Sequence, residues 1–149
     1  IKNIFVNCIF HCKSLYIVNK STLNRIQFIR YKKGEMLSFT SSLSPDSEAF
    51  AIFVNEKFHF KDKKNVLSNE INKKINSYLG TLKDQKSEEE ISSLDISSKQ
   101  KCFIIKVKKK YETYYPEERG GIFCSYLKNF KSIKKIDIYI DSLDFEKEE

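Results

Sequence analysis

The residues with chemical potential are few and scattered. Cys8 and Cys12 bracket His11 at a spacing that could begin a metal cluster. A structural zinc site needs four ligands, and no second Cys or His pair at a suitable spacing follows. His11 and His59 are the two histidines. A nucleophile needs a base, and that base an orienting partner; neither histidine has such company in the sequence, and His59, between Phe58 and Phe60, suits an exposed strand or turn position. Cys102 and Cys124 fall in apolar surroundings, where cysteine behaves as a small hydrophobe. Lys106, Lys108, Lys109 and Lys110 beside Tyr111, Tyr114 and Tyr115 mix cations with aromatic rings, a combination that binds single-stranded nucleic acid. A solvated strand end followed by a loop is the favoured explanation. Gly120-Gly121 is no phosphate-cradling loop of the G-x-G-x-x-G kind. Glycine costs about 1 kcal/mol inside a helix, so a pair there marks both residues as candidates for close approach to a strand or a partner chain.

The elements around these residues are clearer. Cys102 to Val107 is a near-continuous apolar run of strand length. Tyr115-Pro116-Glu117-Glu118-Arg119 opens a helix, with proline at a position where its missing N–H costs nothing and acids near the positive end of the dipole. Ile122, Tyr126 and Phe130, with Phe123 and Leu127 beside them, form one helical stripe. Ile136 to Ile140 is another strand. Strand, helix and strand in this order are most simply parallel neighbours joined by a right-handed crossover. Ala49 to Val54 is apolar throughout, as a strand buried on both faces is. Leu37 to Thr40 and Ile91 to Ile96 alternate as half-buried strands do. A further helix is predicted over about 62–79 from Leu67, Ile71, Ile75 and Tyr78/Leu79, with Asp62 as N-cap and Gly80 as its stop.

The chain has 149 residues, 40% of them apolar, enough for one domain with its own core. No apolar run approaches the 18 or so residues of a membrane-spanning helix. The net charge of +7 comes from residues 1–34, which hold Lys2, Lys13, Lys20, Arg25, Arg30, Lys32 and Lys33 and no acid. The remainder is neutral overall, so neither nucleic acid nor membrane is expected as a partner. Met36 is the sole methionine and sits at this break in composition. Residues 1–35 are therefore set apart as a basic segment expected to precede the native start at Met36, residues 36–143 as the domain, and 144–149 as the start of a linker.

Several local patterns together resemble the N-terminal domain of the leucyl (cytosol) aminopeptidase family. They are Ala51-Ile52-Phe53-Val54-Asn55-Glu56, the segment ending Tyr78-Leu79-Gly80, the apolar strand at 103–107, Pro116-Glu117-Glu118-Arg119-Gly120-Gly121-Ile122, and the closing strand at 136–140. The resemblance covers Met36 to Leu143. It implies an α/β fold: a three-layer, macro-domain-like mixed and mainly parallel sheet with helices on both faces. It also implies a cytoplasmic parent enzyme that removes N-terminal residues from peptides with two divalent metals, zinc or manganese, and assembles as a hexamer. The family's catalytic signature, Asn-Thr-Asp-Ala-Glu-Gly-Arg, is absent from these 149 residues. No catalytic, cofactor-binding or metal-ligating residue is therefore carried over, and the metals are expected in a C-terminal catalytic domain outside this chain. Where the family has a glycine-containing turn after its central strand, this chain has Val107-Lys108-Lys109-Lys110. The expected role is a non-catalytic domain for packing and oligomer assembly, with Gly120 and Gly121 as contact candidates. The alternative is a free-standing macro-like module binding ADP-ribose or another nucleotide.

Overall fold

A computed structural model describes residues 5–9, 37–40, 43, 47–62, 65–108, 115–139 and 142. The elements, in chain order, are β1 (Phe5–Ile9), β2 (Leu37–Thr40), β3 (Ala49–Val54), α1 (Asn69–Asp84), β4 (Ile91–Asp95), β5 (Lys101–Lys106), α2 (Tyr115–Leu127) and β6 (Lys135–Tyr139). They build an open mixed sheet in the order β2-β1-β6-β3-β5-β4. Its four-strand part, β6-β3-β5-β4, is mostly parallel: β3 runs parallel to both β5 and β6, and β4 is antiparallel to β5. β1 adds to β6 in antiparallel fashion and carries β2 with it.

β3 is the centre because it can afford no exposure: all six residues are buried, at 0 to 4% exposed. Its side chains alternate between two cores. Phe50, Ile52 and Val54 join Cys102 and Ile104 of β5 against Ile75, Leu79 and Leu82 of α1. Ala49, Ala51 and Phe53 join Phe103 and Ile105 against Phe123 and Leu127 of α2. The two helices thus cover opposite faces. On the α2 side, size is matched across the ladder: Phe103 stands between Ala51 of β3 and Ser93 of β4. The space those small residues leave admits edge-on contacts from Phe123, Tyr126 and Phe130, at centroid separations of 5.8, 6.1 and 5.1 Å.

Four sequence expectations need correction. β5 and β6 are parallel but not neighbours, because β3 lies between them; the all-apolar strand claims the most protected place, and α2 crosses over it. The first helix begins at Asn69, not near 62, with Ser68 as its cap: the Ser68 hydroxyl accepts from the Ile71 N–H at 3.3 Å. Nor does Gly80 end it. The helix runs to Asp84 because Leu82 extends the buried stripe. Burying a leucine is worth about 1.5–3 kcal/mol, more than the roughly 1 kcal/mol an interior glycine costs. The stop is at Lys86, whose φ of 50° is left-handed; the N–H of Ser87 reaches the Leu82 carbonyl at 2.9 Å and that of Lys86 the Lys83 carbonyl at 3.0 Å, which is a Schellman closure. Finally, Phe58-His59-Phe60 does not extend a strand. Phe58 is itself left-handed, φ 57°, and turns the chain. β1 lies in the basic segment, where no strand is expected from the sequence: Asn7 interrupts its apolar run, and pairing with β6 supplies what local pattern does not.

Candidate functional site

Topology selects one place to look. From the carboxyl end of β3 the chain leaves towards α1 on one face, and from that of β5, its parallel neighbour, towards α2 on the other. Open α/β sheets bind ligands in the crevice where neighbouring strands diverge in this way.

At the β3 exit, Asn55 closes the turn on itself. Its side-chain oxygen accepts from the N–H of Lys57 at 3.0 Å and of His59 at 2.9 Å, and its carbonyl from the N–H of Phe58 at 3.0 Å. The amides of this loop are therefore directed inward, whereas a phosphate cradle needs them converging outward. Phe58 tolerates its left-handed backbone, a cost of about 1–2 kcal/mol, because its ring is buried against the α1 core. Lys106, at the end of β5, sets its ammonium 4.5 Å above that ring and donates to the Ser87 carbonyl at 2.8 Å. Directly between the strands, the N–H of Val107 bonds the Val54 carbonyl at 2.9 Å. Among the described residues, these groups at the ends of β3 and β5 are thus engaged within the chain.

Beside it, Asp62 gathers the loop, the helix and β6. Its carboxylate accepts from the N–H groups of Val66 (3.0 Å) and Leu67 (2.8 Å), from the Asn72 amide (3.3 Å) and from the Tyr139 hydroxyl (2.9 Å). Partial burial pushes its pKa up, but the four donors outweigh this together, so the carboxyl titrates below its usual 3.8. Ser142 ties the neighbouring strand ends, donating to the Tyr139 carbonyl at 2.6 Å and accepting from the Phe53 N–H at 2.7 Å. These groups hold structure; none is a nucleophile paired with a base.

The residues singled out from sequence are dispersed. Cys102 and Cys124 are buried, and burial pushes the Cys102 thiol far up, leaving it protonated and unreactive. His59 is exposed, and no hydrogen bond from the described residues engages its ring. Gly120 is buried while Gly121 is exposed, with nothing within 4 Å of where its Cβ would stand; close approach within this chain thus does not explain Gly121. Lys108 is exposed. Cys8 lies in β1 and Tyr115 begins α2. His11, Cys12, Lys109, Lys110, Tyr111 and Tyr114 fall outside the described residues. Sequence reasoning found Asp62 as an acceptor of amide N–H groups but attached it to the helix start; it read Asn55-Glu56-Lys57 as a turn after the buried strand without assigning the Asn55 side chain its bonds. It missed Arg119 of α2, buried and paired at 2.5 Å with Glu90 just before β4.

Among the described residues no group of three or more His, Cys, Asp and Glu side chains is placed to hold a metal ion, and no helix is long and apolar enough to cross a membrane. Comparison with known protein families, with curated proteins and with solved structures found no match to this chain.

Proposed function

We propose that the chain is a non-catalytic scaffold domain, the N-terminal part of a leucyl-aminopeptidase-like metallopeptidase of the cytoplasm. Its work is to pack against a catalytic domain and against other subunits of a hexamer. The macro-like, three-layer form belongs to this proposal, as do the two divalent metals, zinc or manganese, held by the catalytic domain. The observation that supports it is how the described residues of the carboxyl edge are engaged within the chain: Asn55 accepts from the N–H groups of Lys57, Phe58 and His59, Lys106 stands over the Phe58 ring and bonds the Ser87 carbonyl, and Val107 bonds that of Val54. A domain that binds no small ligand can close that crevice. Gly121, exposed with open space about its Cα, and its buried neighbour Gly120 are the helix positions assigned to contact with a partner.

The decisive experiment is to read the transcript beyond Glu149. An open frame encoding a two-metal peptidase site is the expected result, and a stop codon directly after Glu149 overturns the assignment. The chain alone should release no product from a leucyl amide with Mn²⁺ added. Titration with ADP-ribose in a calorimeter should give no saturable heat; a saturable signal would favour the nucleotide-binding alternative instead.

A further inference from the structure

β4 ends the sheet on one side, so one of its edges has no strand beside it among the described residues. The ladder tells which groups lie there. The N–H of Lys106 bonds the Glu90 carbonyl at 2.9 Å, and that of Ile96 the Gln100 carbonyl at 3.0 Å. Ile91 stands opposite Ile105 and Asp95 opposite Lys101, and bonded and non-bonded pairs alternate along an antiparallel ladder. Glu90, Ser92, Leu94 and Ile96 therefore direct their main-chain groups at β5. Ile91, Ser93 and Asp95 direct theirs outward, where none finds a partner among the described residues.

Soluble proteins usually blunt such an edge with lysine, proline or a bulge. Ile91-Ser92-Ser93-Leu94-Asp95 has neither lysine nor proline, and the ladder runs without interruption. The two ends of the edge also differ in charge. Exposed Glu88 and Glu89 precede β4. Exposed Lys99 follows it.

From this we propose that β4 pairs antiparallel with β4 of a second copy of this chain, about a two-fold axis at Ser93. This deepens the assembly role proposed above and rests on it. In that register Ser93 faces Ser93 of the other copy and Ile91 faces Asp95, each pair exchanging both main-chain bonds. The acidic approach of one copy then lies beside the Lys99 end of the other, whereas a parallel partner would set like charge against like. Such an interface is isologous, as two-fold dimers require, and it joins two sheets into one.

The test is sedimentation equilibrium on the full chain over a range of concentration, with Ser93→Pro and Asp95→Pro variants. Each proline removes an outward N–H without touching the β5 ladder, and Asp95 is exposed, outside both cores. The wild type should be a concentration-dependent dimer and both variants monomers with an unchanged circular dichroism spectrum. Should the Ser93 variant misfold, the Asp95 variant decides. A dimer that withstands the Asp95 substitution overturns the β4 pairing but leaves assembly through another surface, Gly121 included. A wild type that is monomeric throughout overturns the pairing, and the transcript beyond Glu149 then judges the scaffold assignment separately.

Discussion

One carboxylate, Asp62, joins three parts of the chain, and its value depends on staying ionised. Its folded pKa lies below the ordinary 3.8, so its contribution is fully present above that value and is lost as pH falls through the lower, folded one. Tyr139→Phe removes one of the donors. It should cost about 1 kcal/mol at neutral pH and move the onset of acid destabilisation to higher pH, which urea midpoints across a pH series would show. An unchanged acid limb would mean that the Tyr139 hydroxyl does not stabilise the anion. Asp62 also marks the reach of sequence reading at this scale. Its chemistry, an anion accepting main-chain N–H groups, was legible because Asp does this wherever a helix is near. Its partners Val66, Leu67 and Tyr139 were not, since Tyr139 is 77 residues away and nothing local encodes that contact.

Helix α1 carries two residues that local propensity would replace. Gly80 is exposed with nothing within 4 Å of its absent Cβ, so Gly80→Ala should stabilise the chain by about 1 kcal/mol. Lys86 closes the helix from a left-handed conformation, which costs a residue with a Cβ about 1–2 kcal/mol; Lys86→Gly should raise the thermal midpoint as well. A loss of stability in either variant would contradict the helix end described here. On the opposite face, Phe103→Ala removes the ring that Phe123, Tyr126 and Phe130 share and should cost about 3–5 kcal/mol, read from denaturant midpoints. The apolar runs at β3 and β5 and the stripe of α2 were readable because burial on both faces, or on one helical stripe, leaves a pattern in the residues themselves. The end of α1 was misread because Gly80 offers the commonest stop signal, and the competing burial of Leu82 depends on a sheet the local sequence does not show.

At the scale of the molecule, strand order was the part least written in the sequence. The β5-α2-β6 unit reads as a pair of neighbours, yet β3 stands between them, because contact between distant segments decides which strand takes the middle. The carboxyl edge follows from that order, and the proposal of a scaffold rather than a binding module rests on how the edge is filled. Opening it gives a direct check. Asn55→Ala frees the N–H groups of Lys57 and His59 and should cost about 1–3 kcal/mol in the folded state, measured by thermal denaturation; a neutral result would mean that solvent serves those amides equally well.

The central position of β3 has a temporal consequence. Its neighbour on one side, β6, comes from Lys135–Tyr139, some eighty residues further along. During synthesis from the amino end, the most water-averse stretch of the polypeptide must wait, bare along one flank, until Lys135–Tyr139 has emerged. Delayed closure of that kind invites aggregation of nascent chains, and ribosomes stalled before residue 135 should hold a product that chaperones retain and proteases cut within Ala49–Val54.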